Sequence, residues 1–147
     1  MPSIEVEKFQ TSYKKIMAEW AKEVGAPLKE IKEVTEELDK LDAQKGQQSD
    51  EDKKRYKTLE AKRAKAQQAV DQANMDLNQN LLNLNMKPPA NTPKDEIHEL
   101  LKWMKETFEK IKKGLPLSRG IRLQPDSEFN WKKMEFKSVG VILKWEF

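Results

Sequence analysis

The chain has 147 residues, and its 28 Lys and Arg residues against 25 Asp and Glu residues give a formal net charge of +3 at pH 7. It contains no Cys and a single His, which excludes disulfide frameworks, thiolate zinc sites, iron–sulfur clusters and two-histidine metal sites. Charged residues make up 36% of the chain and aromatic residues only 7%. This balance favours long amphipathic helices over a compact globule with a large core.

The sequence has no segment typical of export or membrane insertion. Its start, MPSIEVEKFQ, contains two acids and no apolar stretch of the roughly 7–15 residues that a signal peptide requires. The longest apolar run is three residues, whereas a membrane-spanning helix needs about 20. We therefore expect a cytoplasmic protein, with secretion that needs no signal peptide as the alternative.

Residues 1–24 form the first predicted element, an amphipathic helix. Its apolar residues recur at a spacing of three and four, which is the period of one helix face. They are Phe9, Tyr13, Ile16, Met17, Trp20 and Val24. The sequence Gly25-Ala26-Pro27 is predicted to stop or kink this helix, because Gly suits a C-terminal cap and Pro breaks a helix interior.

Residues 27–86 are predicted to form an antiparallel coiled-coil hairpin. The first arm has a heptad seam at Ile31, Val34, Leu38 and Leu41, and the second arm has a seam rich in alanine at Leu59, Ala66, Val70, Ala73 and Leu77. A polar break at 46–48 separates the arms, and Ser49 with Asp52 predicts a capping box for the second one. Residues 1–50 carry net charge −3 and residues 51–86 carry +2, which favours pairing of the two arms.

Residues 87–93 read as a Pro-rich linker, and residues 94–147 as a helix followed by a β-meander. Thr92 is the predicted N-cap, with Pro93 in the first helical position. The apolar period then changes from 3.6 to 2, which predicts strands at about 119–124, 128–136 and 139–147, a turn at 124–127 and a bulge at 132–133. The expected fold class is mainly α with a small β part: a coiled-coil helical hairpin, a short helix and a C-terminal antiparallel meander.

Motifs for catalysis, cofactors and metals are absent from the sequence. His98-Glu99 resembles the start of a zinc-binding HExxH motif, but Lys102 occupies the place of the second His. The carboxylates of residues 30–42 alternate with Lys, as on a solvated coiled-coil face. Gly-rich phosphate-binding loops are missing as well. We therefore expect a non-enzymatic protein without a cofactor.

A protein partner or a second copy of the chain is the favoured binding partner. Aromatic side chains contribute most to such contacts, and the candidates are Phe9, Tyr13, Trp20, Trp131, Trp145 and Phe147. The terminal strand is also expected to offer an open edge for strand addition. An adaptor, chaperone, inhibitor or structural subunit of a larger assembly would share this architecture.

Basic residues support two alternative functions. A basic patch on the second arm favours nucleic-acid binding, and its members are Lys53, Lys54, Arg55, Lys57, Lys62, Arg63 and Lys65. Residues 110–147 combine nine basic residues with two Trp residues. That combination is typical of a protein that contacts an anionic membrane surface, and would suit a membrane-active or toxin-like protein with a coiled-coil stalk.

Overall fold

The computed structural model describes residues 4–44, 46, 49–84, 87–89 and 91–147. Within these residues the chain forms three helices and one two-stranded antiparallel sheet, which confirms the predicted fold class. The helices are α1 (Ile4–Asp42), α2 (Asp50–Leu82) and α3 (Lys94–Lys113), and the strands are β1 (Ile121–Asn130) and β2 (Glu135–Trp145). No helix in the described ranges is long and apolar enough to cross a membrane.

Helix α1 continues through Pro27, so of the predicted stop or kink at Gly25-Ala26-Pro27 the stop is wrong. Pro27 removes one main-chain donor and costs the helix about 3 kcal/mol. However, Val24 and Leu28 on either side of it are fully buried in the same core. Packing on both sides of the proline thus outweighs the local penalty, as tertiary contacts commonly do in helices.

Helices α1 and α2 form the predicted antiparallel hairpin. Arg55 pairs with Glu37 at 2.8 Å and Lys62 with Glu30 at 3.8 Å. Residue numbers thus increase along one helix where they decrease along the other, as they do in an antiparallel pair. The capping box at Ser49 is confirmed, because the Asp52 N–H donates to Ser49 Oγ and the Ser49 N–H donates to Asp52 Oδ2. Residues 47–48 of the predicted break and residues 85–86 at the predicted end of the arm lie outside the described residues.

Helix α3 begins at Lys94, one residue later than predicted. Pro93 takes the N-cap position, and no side chain in the described part of the chain caps the helix, so the predicted cap by Thr92 is wrong. The acids Asp95 and Glu96 in the first turn favour the helix start through the helix dipole. Its apolar face, which includes the buried Leu100, Met104 and Phe108, packs into the main core.

The sheet is a long hairpin of two strands, where three shorter strands were predicted. The predicted turn around Pro125 is part of β1 and lies opposite Val141. In an antiparallel ladder, residue pairs that exchange main-chain hydrogen bonds alternate with pairs that do not. The Glu146 N–H donates to the Gly120 carbonyl at 2.7 Å, so these two residues form a hydrogen-bonded pair. Pro125 and Val141 lie five positions further along the strands and are therefore a pair without mutual hydrogen bonds. The nitrogen of Pro125 therefore faces the outer edge of β1, where no donor is needed.

The turn and the bulge of the sheet also differ in position from the prediction. The chain reverses between Asn130 and Glu135, where Asn130 Oδ1 accepts the N–H groups of Lys132 and Lys133. Met134 has a positive φ of 52° in this turn. The register shift lies between Glu128 and Phe129, upstream of the predicted bulge.

All five elements share one main core. It joins α1 up to Ile31, α2 from Ala66, one face of α3 and the inward residues of both strands. A second, smaller cluster lies nearer the loop end of the hairpin and contains Val34, Leu38, Leu41 and Leu59, with Tyr56 against it. The hairpin thus contributes to the main core and has a smaller core of its own nearer its loop end.

Candidate functional site

A groove of about 670 Å³ runs between α1 and α2. Ala66, Ala69 and Ala73 of α2 line it together with Ala26 and Pro27 of α1. The small size of these side chains leaves open space between the two helices, and their apolar groups line the centre of the groove. Charged and amide side chains border it, namely Glu23, Glu30, Lys62, Lys65, Gln72 and Asp76.

The groove and the sheet lie on different sides of α2. Asn74 and Asn78 contact β2, whereas Asp76, which lines the groove, is two positions from each of them. Two residues correspond to about 200° around a helix. The sheet therefore covers one side of α2 and leaves the groove side uncovered.

A smaller recess of about 220 Å³ continues the groove toward the C-terminal end of α2. Both share Glu23, Ala73 and Asp76 as lining residues. Trp20 also lines the recess, and its Nε1 is buried without a hydrogen-bond partner among the described residues. Along α2, groove and recess extend from Lys62 to Asn80, about 27 Å at the rise of an α-helix.

The aromatic residues of α1 that were expected to dock a partner are buried. Phe9, Tyr13 and Trp20 expose 5%, 2% and 3% of their surface. Phe9 stacks on Phe136 of β2 at 5.5 Å between ring centroids, and Tyr13 packs against Trp103 of α3 at the same distance. Phe9 and Tyr13 are thus covered by β2 and α3 in the folded chain.

Burial raises the pKa of Tyr13 to about 12. Its hydroxyl donates to the Met104 carbonyl at 3.5 Å, a long contact that contributes little. Desolvation disfavours the phenolate, so the ring remains neutral well above its ordinary range. Tyr13 thus acts as a core residue that joins α1 to α3.

Trp145 and Phe147 contact α2 through their side chains. Trp145 Nε1 donates to Asp71 Oδ1 at 3.0 Å, and its ring stacks on Phe147 at 6.0 Å. The guanidinium of Arg63 lies 4.2 Å from the centroid of the Phe147 ring. A Cβ at Gly120 would lie 2.7 Å from this ring, so the glycine makes room for it. These contacts bring two predicted partner-binding residues together with one member of the basic patch.

Trp131 lies apart from the other predicted residues, in the turn of the sheet. It is 38% exposed and contacts His98 and Phe129, each at 5.1 Å between ring centroids. Lys94 Nζ lies 6.0 Å from the ring centroid. The predicted aromatic set is thus divided between the core, the α2 surface and this exposed turn.

The basic patch on α2 is partly neutralised within the chain. Arg55 and Lys62 pair with Glu37 and Glu30 of α1, and Arg63 covers Phe147. Its other members, Lys53, Lys54, Lys57 and Lys65, are exposed. Lys65 lines the groove. These pairings are those expected of two arms with opposite net charge.

The edge of β2, expected to be open, is occupied at its centre by two side chains of α2. Asn74 Nδ2 donates to the Val141 carbonyl at 2.9 Å, and the Val141 N–H donates to Asn78 Oδ1 at 3.1 Å. The opposite edge lacks a donor at Pro125. Strand addition needs continuous main-chain donors and acceptors. Both edges of the sheet are therefore unsuited to it where Val141 and Pro125 face each other.

The apolar periodicity of the sequence does not mark these two asparagines as positioning residues. The available signals were the run of asparagines beginning at position 74 and Gly140 within an otherwise alternating strand. A glycine in a strand often marks a close approach of another group. Here the approaching group is the side chain of Asn78.

The described residues contain no group of three or more His, Asp or Glu side chains that could hold a metal ion. Comparison of the chain with protein-family models, with curated proteins and with solved structures finds no match. The candidate site therefore rests on the groove geometry alone.

Proposed function

We propose that the protein is a non-enzymatic protein–protein interaction module whose α1–α2 groove holds a helix of a protein partner. The observation that carries the proposal is the groove itself, with an alanine-lined centre and charged borders along about 27 Å of α2. A helix of about 18 residues has this length. Helix-in-groove binding combines such an apolar floor with polar groups that set the orientation.

The sheet edges support the choice of the groove over the terminal strand. Asn74 and Asn78 occupy the β2 edge at Val141, and Pro125 interrupts the β1 edge. Phe9 and Tyr13 of α1 contribute to the core instead of a surface. The groove is a concave surface that these contacts leave uncovered.

Site-specific photo-crosslinking tests the proposal. A photoreactive residue in place of Gln72, which lines the groove, should give a discrete crosslinked product in cells that naturally contain the protein. The matched control is Gln68, also exposed, one turn earlier on α2 and absent from the groove lining. Equal yields at both positions, or no product at position 72, would contradict a partner in the groove.

A second candidate function, contact with an anionic membrane surface, is favoured by Trp131. The ring is 38% exposed beside Lys94, and Lys132 and Lys133 follow it in the turn. Tryptophan with cations is typical of interfacial binding. Vesicles with anionic lipid should bind the wild type and lose binding with Trp131→Ala, whereas Leu82→Ala, which removes an exposed apolar residue of α2, should have no effect.

A further inference from the structure

We infer that the helix held in the groove is α2 of a second copy of this chain, packed antiparallel about a two-fold axis near Ala69. The inference rests on the proposed function and names its partner. It depends on how charge is distributed along the groove. One half of the groove is basic and the other acidic, and the two halves lie on opposite sides of Ala69.

The basic half lies toward the N-terminal end of α2. Lys62 and Lys65 line it, together with Glu30 of α1. Glu30 Oε1 lies 3.8 Å from Lys62 Nζ, and the two side chains expose 40% and 57% of their surface. An exposed pair at this distance is weak. Two lysines and one glutamate give this half a net positive charge.

The acidic half lies toward the C-terminal end of α2. Asp76 of α2 and Glu23 of α1 line both the groove and the recess, and Glu19 of α1 also lines the recess. Basic residues are absent from the lining of the described recess, whose other polar groups are Gln79 and Asn80. This half therefore has a net negative charge.

The spacing of these charges matches a two-fold axis at Ala69. Lys62 precedes Ala69 by seven residues and Asp76 follows it by seven, so an antiparallel copy places each Lys62 beside the other chain's Asp76. Lys65 of each chain then faces the acidic half of the other. Isologous contacts require such a self-complementary surface, in which the same residues face each other twice.

Small side chains at the centre allow the two helices to approach. Ala69 lies on the axis, with Ala66 and Ala73 on either side of it along α2. Helices pack at about 8–10 Å between their axes, and the shorter distances need small residues at the contact. A parallel arrangement would instead place acidic halves together, and like charges disfavour it.

Charge-reversal variants provide the test. Light scattering should give twice the mass of one chain for the wild type. The double variants Lys62→Glu/Lys65→Glu and Glu23→Lys/Asp76→Lys should each be monomeric, because both place like charges across the axis. An equimolar mixture of the two should recover the doubled mass, since each of its contacts again joins opposite charges. Lys53→Glu/Lys57→Glu, on α2 outside the groove lining, should leave the dimer intact.

The outcomes separate this inference from the proposed function. A monomeric wild type at high micromolar concentration, or a mixture that stays monomeric while each variant retains its helical circular dichroism, would overturn the second-copy inference. If position 72 nevertheless crosslinks to another protein, the groove still binds a partner and the proposed function stands. If position 72 gives no product at all, both fall.

Discussion

Asn78 of α2 occupies the space that a side chain at position 140 would need: a β-carbon added to Gly140 would overlap with Asn78 Oδ1. The same oxygen accepts the N–H of Val141 at 3.1 Å. Gly140 itself has φ 151°, a conformation that L-residues rarely adopt. The missing side chain of one residue thus permits the hydrogen bond that joins the sheet to the helical hairpin.

Gly140→Ala should therefore destabilise the protein. The added methyl group must displace Asn78 and also strains the backbone, which together cost about 2–4 kcal/mol. Gly25→Ala is the matched control, because a β-carbon at Gly25 would have no atom within 4 Å and the residue lies inside α1. That substitution should stabilise the protein by about 0.5–1 kcal/mol. Urea unfolding measures both, and a Gly140→Ala protein as stable as wild type would contradict the contact.

The two asparagines should have separable effects on the main chain of Val141. Asn78→Ala removes the acceptor of the Val141 N–H, so this amide should exchange its hydrogen faster. Asn74→Ala removes only the donor to the Val141 carbonyl and should leave the exchange of that amide slow. Each substitution should also cost about 1–2 kcal/mol, because a partly buried group loses its partner.

Hydrogen exchange followed residue by residue measures this difference. The amide of Ile142 is the internal reference, because its pair with Gln124 is a hydrogen-bonded one in the alternation of the ladder. Faster exchange at Val141 relative to Ile142 in Asn78→Ala alone is the expected result. Equal acceleration of both amides would mean general loosening of the strand and would contradict a specific role for Asn78.

Helical periodicity predicts more of this fold than turn chemistry does. The seam from Ile31 to Leu41 and the capping box at Ser49 follow from spacing alone, since both depend on residues close in sequence. The predicted stop at Pro27 and the predicted turn at Pro125 are wrong for a common reason. Each proline lies where its missing donor costs little or is outweighed, and only the tertiary arrangement determines that.

The groove could not be predicted from the sequence for a related reason. An apolar helix face indicates burial but does not say which element covers it. Phe9 and Tyr13 are buried under the sheet and α3, whereas Ala69 on the opposite side of the hairpin remains exposed. The weakly apolar alanines thus line the uncovered surface, and the large aromatic residues that usually mark binding sites form the core.

Arg119 and Asp39 form a pH-dependent link between the loop before β1 and α1. Arg119 Nε donates to Asp39 Oδ2 at 3.0 Å, and Nη2 donates to Oδ1. The hydrogen bond from Arg119 and its positive charge hold the pKa of Asp39 below the ordinary value of an aspartate. A carboxyl group whose pKa is lowered by folding contributes stability above the unfolded pKa, and loses it as the pH falls through the folded value.

A double-mutant cycle with Arg119→Gln and Asp39→Asn should measure this link. The coupling free energy should be favourable at pH 7, remain so down to about pH 4, and vanish at lower pH as Asp39 is protonated. Added salt should weaken it, since both side chains are exposed. Coupling that persists in acid would mean that the two residues interact without the charge.

Thr35 provides a test in the opposite direction, a substitution that should stabilise the protein. It is 2% exposed on α1, and its hydroxyl is buried with no hydrogen-bond partner in the described ranges. Thr35→Val replaces the hydroxyl by a methyl group of similar size and removes a desolvated polar group. The free energy of unfolding should rise by about 1 kcal/mol.

Thr35→Ser is the control, because it keeps the hydroxyl, loses the methyl group and should cost about 0.5–1.5 kcal/mol. Thermal unfolding at neutral pH compares the three proteins, and a Thr35→Val protein less stable than wild type would mean that the hydroxyl is hydrogen-bonded after all.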